Sequence, residues 1–531
     1  MSKKDVGMAE MSNLPLFLDS TLNPENRWVK LSKLIPWDAV DEIYESNFKS
    51  NKGPSHFPSR VALGALIIQV KLNLSDEETV DQIAENPYLQ YFIGFSEYQD
   101  KVPFDSSLMT HFRKRLNVTD IKQIDELIHM KYQKLKNDSS EDNDDGNDDN
   151  SPDPGGSSVE KSDSRIKNKG QLIVDATCAP ADIHYPTDLT LLNCAREKTE
   201  QIIDILWVNR SNKEYKKKPR ANRKKARNSF CRIIKKKRVK HSIMREAIRV
   251  QLGNILRNLK SIEKLSKYCK LNVLGSKLYR DLLVIHTLYE QQYEMYKRRK
   301  HTVDDRIVSI HQPHVRPIVR GKAGAKTEFG AKISISFVDG WSFIDTISFD
   351  AYNEGIELEI QIERYKERFG FYPKSVHADQ IYRNKKNIRF CKERNIRLSG
   401  PQLGRPPKNQ ELLEKQKKTE REDEGVRSAV EGRFGVVKRR YGLSRIMTKL
   451  KATSETVIAL IFMVMNLDVF IHALRIIFCK NIEDTCYYGV NLLQKAFLLQ
   501  IMNKEQNIFN AAFSKYMSLL SYKIKASVIG F

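Results

Sequence analysis

Gln171-Leu-Ile-Val-Asp175-Ala-Thr-Cys-Ala-Pro180 decides how the rest of the chain is read. Leu172 to Val174 is an unbroken apolar run, the pattern of a strand buried on both faces of a sheet. The run ends in an acid, Asp175. An aspartate at the open end of a central strand is well placed to hold a metal ion, but an isolated one is more commonly a cap or turn residue. Further along, Ile333, Ile335 and Phe337 alternate with Lys332, Ser334 and Ser336. Asp339-Gly340 supplies a turn and Trp341 to Phe349 returns, which predicts a β-hairpin. A helix is expected from Gly355 to Phe369, carrying Ile356, Ile360 and Tyr365. The next short strand, Lys374-Ser-Val-His-Ala378, again ends in an acid, Asp379.

A third acid lies in Arg427-Ser-Ala-Val-Glu431-Gly-Arg-Phe-Gly-Val-Val-Lys438. At ~100° per residue, Arg427, Glu431 and Lys438 share one helical face. Val430, Phe434, Val437 and Tyr441 form the apolar stripe beside it, suited to packing on a sheet. The helix can therefore dock by one side and present an acid between two cations along another. An ordinary Arg–Glu pair on a solvated helix has the same spacing.

Charge is distributed unevenly along the 531 residues, whose 90 Lys and Arg against 66 Asp and Glu give a net +24. Such a balance points to a polyanionic partner, most simply nucleic acid. Asp138 to Asp153 holds eight acids and no base, so the remainder carries +32. This tract has no apolar residue to bury and reads as disordered, part of an acidic linker over residues 134–170. Arg210 to Lys240 is the opposite extreme, sixteen Lys and Arg with the single acid Glu214, or +15 in 31 residues. Its blocks Lys216-Lys217-Lys218, Arg223-Lys224-Lys225 and Lys235-Lys236-Lys237-Arg238 suit a phosphate backbone, bound without reading base sequence and with strong salt dependence. The bland alternative is a solvated basic loop.

Beyond that strip, Ile248, Leu252, Ile255, Leu259 and Ile262 make one apolar stripe. Leu278, Leu282, Ile285, Tyr289, Tyr293 and Tyr296 make another after Gly275, as two helices of an antiparallel hairpin would. The first 133 residues read as short helices. Val61 to Val70 forms one, the capping box Ser75-Asp-Glu-Glu78 opens another through Glu85, and a third starts near Asp105 and Ser106. This third helix carries Thr110, His111, Arg113, Lys114 and Arg115 on its polar side, which fits helix-turn-helix DNA binding and equally an ordinary bundle with a basic surface.

Seven scattered cysteines, Cys178, Cys194, Cys231, Cys269, Cys391, Cys479 and Cys486, form no C-x-x-C pair, which argues against structural zinc or a disulfide framework. Val457 to Phe478 is the most membrane-like stretch. Asn466, Asp468, His472 and Arg475 interrupt it, and a spanning helix needs ~20 apolar residues. A buried core helix in a soluble, cytoplasmic protein is expected, with no membrane partner.

Two acids at strand ends and a Glu on a later helix, in this order, resemble the catalytic domain of the DDE transposases of bacterial insertion sequences. Several separated blocks are similar to that family: Asp175 through Asp188, His377-Ala-Asp379-Gln-Ile-Tyr382, and the Arg427, Glu431 and Lys438 signature. His311 to Arg320 and Gly324 to Lys332 are similar to the segment entering its second strand. Residues 15–116 resemble the helical domain that precedes the core in one large branch. One position departs, because the full signature has a tyrosine three residues before the arginine and this chain has Glu424.

The resemblance implies an RNase H-like α/β core, a mixed sheet flanked by helices, joined to an all-α N-terminal domain and a helical basic insertion. The expected divisions are 1–133 helical and DNA-binding, 134–170 linker, and 171–206 the first part of the catalytic domain. Residues 207–305 are the insertion, 306–445 the rest of the core, and 446–531 C-terminal helices. It implies catalytic, metal-holding roles for Asp175, Asp379 and Glu431 with two Mg²⁺, for which Mn²⁺ can substitute. Phosphate contacts fall to Arg427 and Lys438, to the basic blocks above, and to Arg113 and Arg115. The implied partners are double-stranded DNA (terminal inverted repeats and target) and a second copy of the chain. Asp182 and Asp188 are expected to be turn and cap residues. A nuclease of the same fold and a DNA-binding descendant without activity are the rival readings.

Overall fold

The computed structural model describes residues 18–48, 56–141, 168–211, 217–319, 327–400, 410–476, 514–515 and 517–518. At its centre lies β1 (Gln171–Pro180), longer than the apolar run that predicts it. The two edges of this strand do different things. On one side it pairs antiparallel with β3 (Thr327–Val338) over its length, from Ile173 opposite Phe337 to Pro180 opposite Gly330. On the other it runs parallel to β5 (Ser375–His377) for three residues only, from Gln171 opposite Ser375 to Ile173 opposite His377. Asp175 is thus inside a strand rather than at its end. The antiparallel ladder carries the chain past it, and what ends before Asp175 is the parallel pairing. The ladder also explains Gly330, where a Cβ would stand 2.0 Å from the Ala179 carbonyl oxygen.

β4 (Trp341–Ser348) pairs antiparallel with β3 through a turn in which Asp339 (φ 48°) and Gly340 (φ 87°) are both left-handed, as a two-residue hairpin of this hand needs. β2 (Arg316–Val319) lies on the same edge of β3, and β6 (Arg397–Leu398) extends the sheet parallel to β5. The six-stranded order is β2-β3-β1-β5-β6, with β4 on β3. This mixed sheet flanked by helices is RNase H-like.

The N-terminal region is helical: α1 (Leu18–Thr21), α2 (Arg27–Leu34), α3 (Trp37–Ser46), α4 (Ser59–Leu72), α5 (Asp76–Glu85), α6 (Pro87–Phe92), α7 (Leu108–Arg115) and α8 (Val118–Glu141). The Ser75–Glu78 capping box forms at α5 as the sequence predicts. α8 runs on into the acidic tract, so the residues from 134 to 141 are helical and not linker. The rest of that tract, residues 142–167, lies outside the described residues. α8 buries Ile121, Ile124 and Ile128, and its Tyr132 stacks on Trp341 of β4 at 5.2 Å. One apolar core is therefore continuous from α4 through the sheet to the C-terminal helix α16 (Lys451–Ile476). Among the described residues α16 is the helix long and apolar enough to cross a membrane. It is instead packed inside the protein, with Ile458, Leu460 and Phe462 at 0–1% exposure.

α9 (Asp188–Val208), α10 (Arg223–Ile234), α11 (His241–Ser266) and α12 (Gly275–Arg298) follow β1. The two apolar stripes fall on α11 and α12. α9 joins them: Leu192 and Ala195 pack with Ile255, Ile285 and Leu288, and Ile202, Ile203 and Leu206 with Ile262, Leu265 and Leu282. By packing, α9, which begins at Asp188, shares its apolar contacts with the insertion helices α11 and α12. The helix expected from Gly355 divides into a turn, Glu354–Ile356, and α13 (Leu358–Phe369). Its buried side is Leu358, Gln361, Ile362 and Tyr365, while Ile356 and Ile360 face solvent. α14 (Lys385–Glu393) and α15 (Gln410–Arg440) complete the core. α15 lays Val430, Phe434 and Val437 onto the sheet, with Phe434 at 5.6 Å from Phe337.

Candidate active site

Three residues of parallel pairing fix the relation of the two strand aspartates. Asp175 and Asp379 each lie two residues beyond the last parallel pair, Ile173 opposite His377, and the Asp379 charge reaches the Asp175 carboxyl. Beyond His377 the chain leaves the strand, and Asp379 caps the turn Gln380–Tyr382 by accepting from the Gln380 N–H at 2.6 Å. Asp175 accepts from the Ala176 N–H at 2.7 Å. Burial pushes the Asp175 carboxyl up to about 6, the Ala176 N–H opposes this, and Glu354 raises it further; Arg427 lowers it and Asp379 raises it. A carboxylate that is desolvated and faces like charges is one that a cation would relieve.

Arg427 reaches this pair from α15, with its guanidinium 3.5 Å from Asp379 Oδ1. Glu431, one turn further on the same face, is exposed, and Lys438 is half-buried. Two hard oxygen donors side by side fit a divalent cation by donor type. Among the described residues, no three His, Cys, Asp or Glu side chains stand close enough together to hold one. The structure thus brings together Asp175, Asp379 and Arg427, and does not bring Glu431 into the same cluster.

Sequence reasoning missed several neighbours. Glu354 sits beside Asp175 and accepts an ion pair from Lys332 at 2.8 Å. Its loop is pinned to the turn after Asp379, because Asn387 donates to both the Gly355 carbonyl (2.7 Å) and the Tyr382 carbonyl (2.8 Å). The Tyr382 hydroxyl is buried without a hydrogen-bond partner, within the field of Glu354 and Asp175. Glu354 lies in a loop with no periodic pattern to flag it. Tyr382 was visible as the last residue of the His377–Tyr382 block.

The phosphate-contact candidates divide into open and closed. Lys217, Lys224, Lys225, Lys235, Lys236, Lys237 and Arg238 are exposed, and Lys216 lies outside the described residues. Lys218 is 2.5 Å from Asp204, and Arg223 grips the same carboxylate with both terminal nitrogens at 2.7 Å. Arg113 is buried, with a bidentate pair to Asp76 (2.9 and 2.5 Å) and a bond to Gln69 at 2.9 Å. It fastens α7 to α4 and α5, which corrects its placement on a DNA-facing side. Arg115 covers the Phe48 ring at 5.0 Å. Asp182 pairs with Arg445 at 2.5 Å. Asp188 follows the cap residue Thr187 and accepts from Arg306 at 2.7 Å, so it is a tie within the insertion and not the cap.

Residues 376–468 match the family described as a transposase DDE domain, a span holding Asp379, Arg427, Glu431 and Lys438. Residues 16–115 match a second family, described as a transposase domain (DUF772). Together the two matches indicate an insertion-sequence DDE transposase. It is similar to a curated protein of Rhizobium meliloti described as uncharacterized protein ORF8 in the nfe locus, 35% identical over 107 residues. That alignment covers 20% of this chain and 51% of the relative, so the chain spans about half the length of the curated relative it matches. No solved structure matches it.

Proposed function

We propose that this transposase cuts phosphodiester bonds at the ends of an insertion sequence and joins the freed 3′-hydroxyls to target DNA. Asp175 would bridge two Mg²⁺ or Mn²⁺ ions, with Asp379 on one and Glu431 on the other. When bound, such a pair activates the attacking oxygen and stabilises the leaving one. What supports the reading is that Asp379 and Arg427 both act on the buried Asp175 carboxyl, with Arg427 at 3.5 Å from Asp379. In the DNA-free protein Arg427 neutralises Asp379. The Arg427 guanidinium, once released from Asp379, would be free to hold a phosphate beside the scissile bond, and Lys438 would serve the same backbone farther along the helix. Glu431, exposed on the same face of α15 one turn beyond Arg427, would complete the set. The exposed lysines from Lys217 to Lys237, with Arg238, would hold the duplex by its phosphates. The partners proposed are double-stranded DNA and a second copy of the chain bridging two ends, in the cytoplasm.

The test is cleavage and joining of a duplex bearing the element's terminal repeats, in Mg²⁺, with Asp379→Asn beside the parent. The parent should cleave and join and the variant should do neither. Joining by Asp379→Asn would overturn the proposal, and cleavage without joining by the parent would favour a nuclease.

A further inference from the structure

Asp423 is an acid that no part of the site accounts for. It lies on α15, four residues before Arg427 and eight before Glu431, so the three follow one stripe of the helix at ~100° per residue. It is buried at 6% exposure. Both carboxylate oxygens are taken by Arg397 of β6, Nη1 to Oδ2 at 2.9 Å and Nη2 to Oδ1 at 2.8 Å. The same Oδ1 lies 3.3 Å from Nδ1 of His377, the last residue of β5. His377 is itself buried, with Nε2 3.1 Å from the Ser375 hydroxyl. One carboxylate therefore fastens α15 to β6 through Arg397 and stands beside the His377 imidazole of β5, whose Nδ1 has no hydrogen-bond partner, on the side of the sheet away from the hairpin. Two residues after His377 comes Asp379, which meets Arg427 on the next turn of the helix. The turn after that carries Glu431.

We propose that Asp423 and Arg397, beside His377, form a latch that sets the rotation and height of α15, and so brings Arg427 to Asp379 and sets where Glu431 stands on the next turn. They are positioning residues, since none touches the reacting groups. A bidentate Arg–carboxylate pair fixes direction as well as distance, which a single hydrophobic contact on a smooth apolar stripe does not. The inference rests on the reading that Asp379 and Glu431 serve strand transfer.

The experiment uses the full chain as Asp423→Asn, Arg397→Gln, Arg397→Lys, Glu431→Gln and the double variant Asp423→Asn with Glu431→Gln. Arg397 keeps 46% of its side chain in solvent, so Asp423→Asn strands no charge in the core, whereas Arg397→Gln leaves the Asp423 side chain, 8% exposed, without its partner. Three quantities are measured: Mn²⁺ affinity of the DNA-free protein by electron paramagnetic resonance, joining rate against Mg²⁺ concentration, and thermal midpoint. Asp423→Asn and Arg397→Gln should weaken Mn²⁺ binding and raise the half-saturating Mg²⁺. Both should slow joining about a hundredfold, the scale of a ~1 Å misplacement. Arg397→Lys should fall between them and the parent. The double variant should bind Mn²⁺ no more weakly than Glu431→Gln alone, because the latch acts through that residue. A lowered midpoint with unchanged Mn²⁺ affinity and unchanged half-saturating Mg²⁺ in Asp423→Asn and Arg397→Gln would reduce the latch to a structural contact and overturn the inference. If Glu431→Gln itself joins at the parental rate, it is the proposed ligand set that fails.

Discussion

Asp175 and Asp125 are both enclosed aspartates whose acidity burial weakens, the first pushed up to about 6 and the second to about 7. Their company differs. Asp125 on α8 accepts from Asn466 Nδ2 of α16 at 3.1 and 3.0 Å and from Trp341 Nε1 of β4 at 3.3 Å. These are neutral donors in fixed places, and they tie the N-terminal helices, the sheet and α16 at one point. Asp175 faces Glu354, Arg427 and Asp379, charges that do not cancel and that sit near solvent. A buried acid whose two oxygens both accept from neutral donors holds elements together, while one among unbalanced charges is ready for an ion. A perturbed carboxyl is thus a guide to function only when its neighbours are read with it.

The sharpest way to break this comparison is to neutralise both. Asp175→Asn should lower end cleavage and joining by ~100-fold or more, the scale of losing one charge-stabilising group, without lowering the thermal midpoint. Asp125→Asn should leave the rate per folded molecule unchanged. Equal losses in rate per folded molecule would show that the two acids share a role.

Next in size is the pH dependence of stability. The Asp125 carboxyl is raised in the folded state from 3.8 to about 7. Its contribution is therefore fully present below pH ~4 and lost as pH rises to 7, by ~4 kcal/mol at 1.36 kcal/mol per unit. His129, one turn along α8, runs the other way. It is lowered to about 4, first by burial and then by Arg368, so its contribution is present above pH ~6.5 and lost as pH falls through 4. Denaturant melts of Asp125→Asn should show the alkaline loss between pH 4 and 7 removed while the acid loss remains. Asp125→Ala should instead destabilise at every pH, by ~1–3 kcal/mol for each stranded donor. If Asp125→Asn and the parent keep parallel curves, burial does not hold the proton on Asp125.

A smaller effect separates the two acids by ligand. Mn²⁺ without DNA should raise the thermal midpoint of the parent and of Asp125→Asn, corresponding to ~2.7 kcal/mol at a hundred times the dissociation constant. It should leave Asp175→Asn unmoved. An equal rise in all three would place the ion elsewhere.

How far the sequence reaches is plain from the same residues. The order Asp175, Asp379, Glu431 is legible because apolar runs and helical spacing are local patterns. The interior position of Asp175 in β1 is not, since the ladder that prolongs the strand is supplied by Gly330 to Phe337, far along the chain. Arg113 looked like a cation on a polar face because its partner, Asp76, is local only in space. Asp423 had the right helical offset from Arg427 all along, but its meaning depends on Arg397 and His377, which no spacing rule connects to it. Local periodicity thus conveys the elements and the acids on them. Partners brought in from other elements decide which charges are structural.

The smallest expected effect carries the distinction between open and closed charges to the surface. Lys235, Lys236, Lys237 and Arg238 are exposed, whereas Lys218 and Arg223 share Asp204 as an ion-pair partner. Each phosphate contact contributes a slope of about −0.9 to the dependence of log affinity on log salt. Replacing the four open residues by serine should flatten that slope for a random duplex by up to ~4. Replacing Lys218 and Arg223 should change it by less than ~1, because those cations are already engaged when DNA arrives. Fluorescence anisotropy across a salt series reads both. Equal flattening by the two sets would mean that DNA competes Asp204 away, and that a cation's pairing in the free protein does not withhold it from the backbone.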